Sequence, residues 1–145
     1  MTKWNPTQYE RFIKDRTQPA IDLANRLETL NPDNILDLGC GPGNSTKVLK
    51  DKYPNSHIIG ADNSEDMLKK AMELYPYIEF IKLDANGNLN EISDKFDIVF
   101  SNACIQWLPN HRELLPKLMT LLKPNGILAI QIPIQREHPV HIIIN

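Results

Sequence analysis

The sequence predicts a doubly wound α/β fold, a mainly parallel sheet with helices on both faces. Three observations predict it. Short apolar runs alternate with segments whose apolar residues recur at three and four. The connections between those runs are long enough for crossovers rather than hairpins. The first run breaks directly into a glycine turn, Gly39-Cys40-Gly41-Pro42-Gly43. About five strands in the order 3-2-1-4-5 are expected, within one domain over residues 1–145 that shows no internal repeat or linker.

The elements follow in order. Ala20, Leu23, Ala24, Leu27 and Leu30 describe one face of a helix after Pro19, which should stop at Asn31-Pro32-Asp33-Asn34. Ile35-Leu36-Asp37-Leu38 is the first strand. Asn44 or Ser45 is expected to cap the next helix, which carries Val48, Leu49 and Tyr53 inward and ends before Pro54. His57 to Ala61 is the second strand. Ser64, with Glu65 and Asp66 behind it, opens a helix through Met67, Leu68, Ala71 and Leu74 that Pro76 closes. Ile78 to Leu83 alternates like an edge strand, and Phe96 to Phe100 is the fourth. Leu114, Leu115, Leu118, Leu121 and Leu122 mark a helix that Pro116 should kink or split. Lys123-Pro124-Asn125-Gly126 reads as a turn before the fifth strand, Ile127 to Ile132.

Lys and Arg total 16 against 18 Asp and Glu, a net charge of -2, so no general field draws in nucleic acid. The longest apolar runs fall far short of the roughly 20 residues that span a bilayer, and the first residues lack a secretory pattern. A cytoplasmic location is expected. Cys40 and Cys104 form no C-x-x-C pair and read as reduced thiols rather than metal ligands.

In an open parallel sheet, ligands bind beyond the carboxyl ends of the strands. Asp37 and the glycine turn end the first strand, Asp62 the second, Asp84 the third and Asn102 the fourth. Glycines at 39, 41 and 43 allow a sharp turn and let a ligand lie on the backbone. A carboxylate at Asp62 can accept hydrogen bonds from both hydroxyls of a ribose. A dinucleotide site prefers a third glycine where Asn44 stands, and Asp37 would repel a pyrophosphate. The same acid suits the ammonium of a methionine tail, while Asp84 can accept from an adenine amino group and Met67 can lie on the adenine face. The set matches an adenosyl amino acid better than a nicotinamide dinucleotide.

Ile35 to Gly43 resembles the first motif of class I S-adenosylmethionine-dependent methyltransferases, with a Rossmann-like core. Trp4-Asn5-Pro6 with Tyr9, Arg16 to Ala20, Gly41 to Thr46 and Ser101 to His111 are similar to the trans-aconitate 2-methyltransferase family, which methylates a carboxylate of that acid. The resemblance implies Asp37, Gly39 and Gly41 at the methionine end, with Cys40 and Asn44 also in contact with the cofactor. It implies Asp62 and Met67 at the ribose and adenine, beside Asn63, and Asp84 with Ala85 at the adenine edge. Asn102 and Gln106 would face the methyl group or substrate. Trp4, Tyr9 and Arg16 would form a lid, and Trp107 completes the substrate residues.

An ionised carboxylate attacking an activated methyl group needs no general base, so alignment carries the rate and no catalytic residue is nominated. His57, His111, His138 and His141 read as surface or loop residues. Arg16, Gln106, His111 and Arg136 are candidate donors to a small polyanionic acid. Relatives of this fold normally carry further strands and a substrate-covering region, so the chain is expected to be C-terminally truncated, with weak or absent turnover. Strand five would then be an apolar edge, and Val140 to Ile144 would lack neighbours, unless a second copy forms a homodimer there. Other readings are methylation of a different small acceptor, a non-catalytic donor-binding fragment or partner subunit, and a nicotinamide-dependent oxidoreductase, which Asn44 and Asp37 argue against.

Overall fold

The run Asn34–Leu38 forms β1 at the centre of the sheet, buried from Ile35 onward, as expected of a strand covered on both faces. The computed structural model of the chain describes residues 6–87, 89–105, 108–133 and 139–144. Around β1 lie α1 (Pro6–Asn25), α2 (Asn44–Lys52), β2 (His57–Asp62), α3 (Glu65–Leu74), β3 (Glu79–Lys82), β4 (Phe96–Asn102), α4 (His111–Met119), β5 (Leu122–Pro133) and β6 (Pro139–Ile144). The sheet has six strands in the order β3-β2-β1-β4-β5-β6. β1 to β5 run parallel and β6 is antiparallel to β5. The doubly wound expectation and its strand order hold for the first five strands.

Alternation along the strands divides the core into two layers. Ile35, Ile58, Ile98, Phe100 and Ala129 pack beneath Ala20, Leu23 and Ala24 of α1 and Leu49 of α2. Leu36, Leu38, Val99, Leu128 and Ile130 face the opposite way, against Leu114 and Leu118 of α4. Leu68 and Ala71 of α3 pack with Phe80 of β3. Burial of each such Leu, Ile or Phe contributes about 1.5–3 kcal/mol. The Ser64 cap is as read: its Oγ accepts from Met67 N at 3.3 Å. β3 lies at the sheet edge that its alternation implied.

Several sequence expectations are corrected. α1 begins at Pro6 and holds Pro19 inside it, whereas the sequence placed the helix start after that proline. It ends at Asn25, and Leu30 lies 86% exposed rather than on the buried face. Gly43, at φ 96°, is the N-cap of α2 in place of Asn44 or Ser45, whose side chains bond elsewhere. α4 remains one helix despite Pro116 and stops at Met119, so Leu122 starts β5 instead of ending a helix. The expected turn at Lys123 to Gly126 is an irregularity inside β5: Phe96 pairs with Leu122, then Ile98 with Ile127, and Asn125 takes φ 66° to absorb the extra residues.

The exposed strand-five edge is overturned as well. β6 covers it from within the chain, with Ile130 opposite Ile142 and Ile132 opposite Val140. That pairing satisfies the backbone groups of β5 and removes the reason for expecting a second copy there.

Candidate functional site

The glycine turn is fastened to the end of β2. Gly39 N and Cys40 N both donate to Ala61 O, at 2.7 and 2.9 Å, and Gly41 N donates to Asp62 Oδ2 at 2.8 Å. Asp62 Oδ1 accepts from Ser64 N at 2.9 Å, so one carboxylate holds the turn and opens α3. Asp62 is half-buried and Asn63 beside it is exposed. Met67, also half-buried, sits in the first turn of α3. Each oxygen of Asp62 retains a second lone pair, enough to accept from a pair of adjacent hydroxyls.

Asp37 is fully buried, and its Oδ2 accepts from Ser45 Oγ at 2.6 Å and Thr46 Oγ1 at 2.8 Å. Those hydroxyls stand in the first turn of α2, so a protein carboxylate lies against the helix N-terminus, the place where a phosphate would otherwise be held. A second anion there meets like charge. Asn44, in the third-glycine position of a dinucleotide motif, donates through Nδ2 to Thr17 Oγ1 at 3.1 Å and ties α1 to the start of α2.

At Gly39 and Gly43 the protein's own packing also excludes a side chain. Gly39 has φ 75°, and a Cβ there would overlap Cβ and Sγ of Cys104. At Gly43, a Cβ would stand 2.8 Å from the Tyr75 ring. Cys40 is buried, with Sγ 3.5 Å from Gly41 O, Cys104 is half-buried, and neither is in a disulfide.

Asp84 stands after β3 with Oδ1 accepting from Asn86 N at 2.9 Å and Oδ2 against Gly87, so it organises its own turn. Buried Ala85 and exposed Asn86 line a cavity of about 390 Å³ closed by Leu89, Ile92, Lys117 and Leu121. Asn102 ends β4 at 1% exposure, and Ala103, at φ 56°, begins the following loop. His111 is exposed, as expected, and its Nε2–H donates to Ile105 O at 2.6 Å, pinning α4 to that loop. His57 pairs with Glu79 at the surface.

The structure thus gathers Asp37, Gly39, Cys40, Gly41, Asn44 and Asp62 around one turn, and sets Asn63, Met67, Asp84, Ala85 and Asn102 at the ends of the flanking strands or just after them. Tyr9 and Arg16 lie in α1. Trp4, Gln106, Trp107, Arg136 and His138 lie outside the described residues. Sequence reasoning missed Ser45 and Thr46, the hydroxyl partners of Asp37. It also passed over Gln131, 1% exposed in β5, whose signal was a lone amide in an apolar strand. Among the described residues, no group of His, Cys, Asp and Glu could hold a metal ion, and no helix is long and apolar enough to cross a membrane.

Residues 35–126 match the methyltransferase domain family. The chain is 41% identical over 141 residues to the trans-aconitate 2-methyltransferase of Variovorax paradoxus, covering 97% of this chain and 54% of that protein. It is 41% identical over 143 residues to the Escherichia coli O157:H7 protein of the same name, covering 99% of this chain and 56% of that one. The chain therefore spans about half the length of the curated relatives it matches. In fold it is similar to an amino pentose methyltransferase from Micromonospora echinaspora solved with S-adenosylmethionine, at TM-score 0.74 and 19% identity over 95% of this chain and 60% of that one. Sequence match and strand order agree, and the chain belongs to the methyltransferase domain family.

Proposed function

We propose that this chain binds S-adenosylmethionine at the glycine turn and serves methyl transfer to a carboxylate of a small organic acid, with trans-aconitate as the acceptor. The observation that carries the reading is the pair of carboxylates around the turn. Asp37 fills the anion position at the α2 N-terminus, and Asp62 is fixed against Gly41 with acceptor capacity to spare. That arrangement fits a cationic amino-acid tail joined to a ribose and disfavours a pyrophosphate. Relatives 41% identical over nearly the whole chain carry the name trans-aconitate 2-methyltransferase, which supports the choice of acid.

In this reading Asp62 accepts from the ribose hydroxyls. Met67 lies against the adenine, and Asp84 with Ala85 meets its edge. Asp37 lends negative potential to the methionine end, where Gly39, Cys40, Gly41 and Asn44 shape the turn. When bound, S-adenosylmethionine supplies an activated methyl group. The chain's own residues orient and desolvate: Asn102 ends β4 beside the turn, and Trp4, Tyr9, Arg16, Gln106 and Trp107 serve the acceptor. No residue removes a proton, because the acceptor is already a carboxylate. The reading includes one domain, a cytoplasmic location and a small-molecule partner rather than nucleic acid, in keeping with a net charge of -2.

The test is a thermal shift with S-adenosylhomocysteine followed by radiolabelled methyl transfer to trans-aconitate. Stabilisation and label in the acid are expected. No stabilisation would overturn the donor site. Stabilisation without transfer would favour a donor-binding fragment or partner subunit.

A further inference from the structure

The geometry points to Gln131 as the side chain that recognises a carboxylate of the acceptor acid, on the β4–β5 side of the site. This rests on the function proposed above and names its acceptor subsite. Gln131 interrupts the apolar run of β5, one residue from the end of the Ile127 to Ile132 segment. Its register partners are Asn102 on β4 and His141 on β6. Ile127 and Ala129 belong to the layer beneath α1, whereas Leu128, Ile130 and Ile132 face the other way, so Gln131 stands on the α1 face. The same alternation sets Asn102 on that face, two residues beyond Phe100.

The Gln131 side chain is 1% exposed, and its Oε1 has no hydrogen-bond partner among the described residues. Its carbonyl is satisfied, since Ala103 N donates to Gln131 O at 2.8 Å, which locks this position to the loop leaving β4. A buried amide oxygen without a donor destabilises a fold, and an apolar residue of similar size would pack there at no such cost. A half-turn of the last torsion exchanges the amide's oxygen and nitrogen, so the same unfilled position can present Nε2–H, and a ligand carboxylate there completes it.

Topology says which part of the ligand. With the adenosine at Asp62 and Asp84, as proposed above, it lies on the β2–β3 side of β1, which leaves the β4–β5 side for the methyl group and its acceptor. Gln131 lies two strand spacings, roughly 10 Å, from β1 on that side, where the acceptor must be. A primary amide donates through Nε2–H to a carboxylate and accepts through Oε1 from a protonated group, and rotation about its last torsion chooses between them. Being neutral, it holds a carboxylate without cancelling the charge that makes the oxygen nucleophilic.

The experiment uses the full chain, its Gln131→Leu variant, S-adenosylhomocysteine, and trans-aconitate as the acid probe. In Gln131→Leu the ligand-free melting temperature is expected to rise, because the unpaired amide is gone. S-adenosylhomocysteine binding should stay within about twofold, while trans-aconitate binding to the loaded protein should weaken roughly tenfold, the loss of one hydrogen bond to a charged group. In the wild-type chain, the Gln131 side-chain amide signal in NMR, assigned by its loss in folded Gln131→Leu, should shift when trans-aconitate is added, a response read on the wild-type fold. Unchanged acid binding in Gln131→Leu, or an amide signal that the acid leaves in place, would overturn the Gln131 assignment and leave the donor site standing. A wild-type chain that does not bind S-adenosylhomocysteine would overturn the reading on which the assignment rests.

Discussion

On the proposed reading, replacing Asp62 with alanine removes bonds of two kinds: two within the protein, which the structure shows, and two to the ribose, which the reading assigns. Within the protein, the carboxylate accepts from Gly41 N at 2.8 Å and Ser64 N at 2.9 Å. Gly41 is buried, so its freed N–H is left without water and costs about 1–3 kcal/mol. Ser64 is exposed, and its N–H is rehydrated at little cost. The ligand-free chain should therefore lose about 2 kcal/mol, read as a lower urea midpoint at unchanged m-value. Ligand binding loses both ribose bonds in addition, about 1–3 kcal/mol, or roughly 5- to 150-fold in affinity. Calorimetry with S-adenosylhomocysteine, run where the variant is fully folded, measures that second loss. An affinity within twofold of wild type in folded Asp62→Ala would refute the ribose assignment, whatever happened to stability.

Gly39→Ala should be among the most damaging single changes, since φ 75° is unfavourable for alanine and the new methyl would overlap Cys104; a loss of about 2–4 kcal/mol in urea unfolding is expected. Ser64→Ala removes the N-cap acceptor for Met67 N and should cost about 1 kcal/mol, visible as a lower melting temperature. Asp97 gives a pH signature. Partial burial pushes its carboxyl up, but hydrogen bonds from Asn34 N and Asp33 N and the nearby Lys123 outweigh that and hold it below the usual carboxylate range. Its contribution is complete above the ordinary carboxylate value near 4 and is lost as pH falls through the lower folded value. Asp97→Asn should thus destabilise by about 1–2 kcal/mol at neutral pH, and the difference from wild type should shrink in acid unfolding curves.

The parts of the fold legible in the sequence are those where local chemistry and tertiary packing agree. Ile35 to Leu38 is apolar because both faces of β1 are covered, and Ser64 opens α3 because its Oγ and its position after β2 serve the same turn. Reading failed where a tertiary partner outweighed a local signal. Asn44 has good capping chemistry, yet its amide is drawn to Thr17, and Gly43 takes the cap with φ 96°. Lys123-Pro124-Asn125-Gly126 has turn chemistry, yet pairing with β4 resumes at Ile127 and carries the segment as a bulge. α1 begins far before its apolar stripe, and β6 depends on pairing with β5 that no periodicity in Val140 to Ile144 announces. At the site, the acids at strand ends were visible as sequence. Their partners were not, because Ser45, Thr46 and Gly41 meet Asp37 and Asp62 only once the turn closes.

The claim at the centre of this account is that Asp62 has acceptor capacity left over for a ribose after fixing the glycine turn. A structure of the chain crystallised with S-adenosylhomocysteine measures this directly. The account predicts both ribose hydroxyls within about 3 Å of the Asp62 oxygens, with the Gly41 and Ser64 bonds retained. Ligand bound elsewhere on the sheet, or bound at the turn with its ribose out of reach of Asp62, would contradict it.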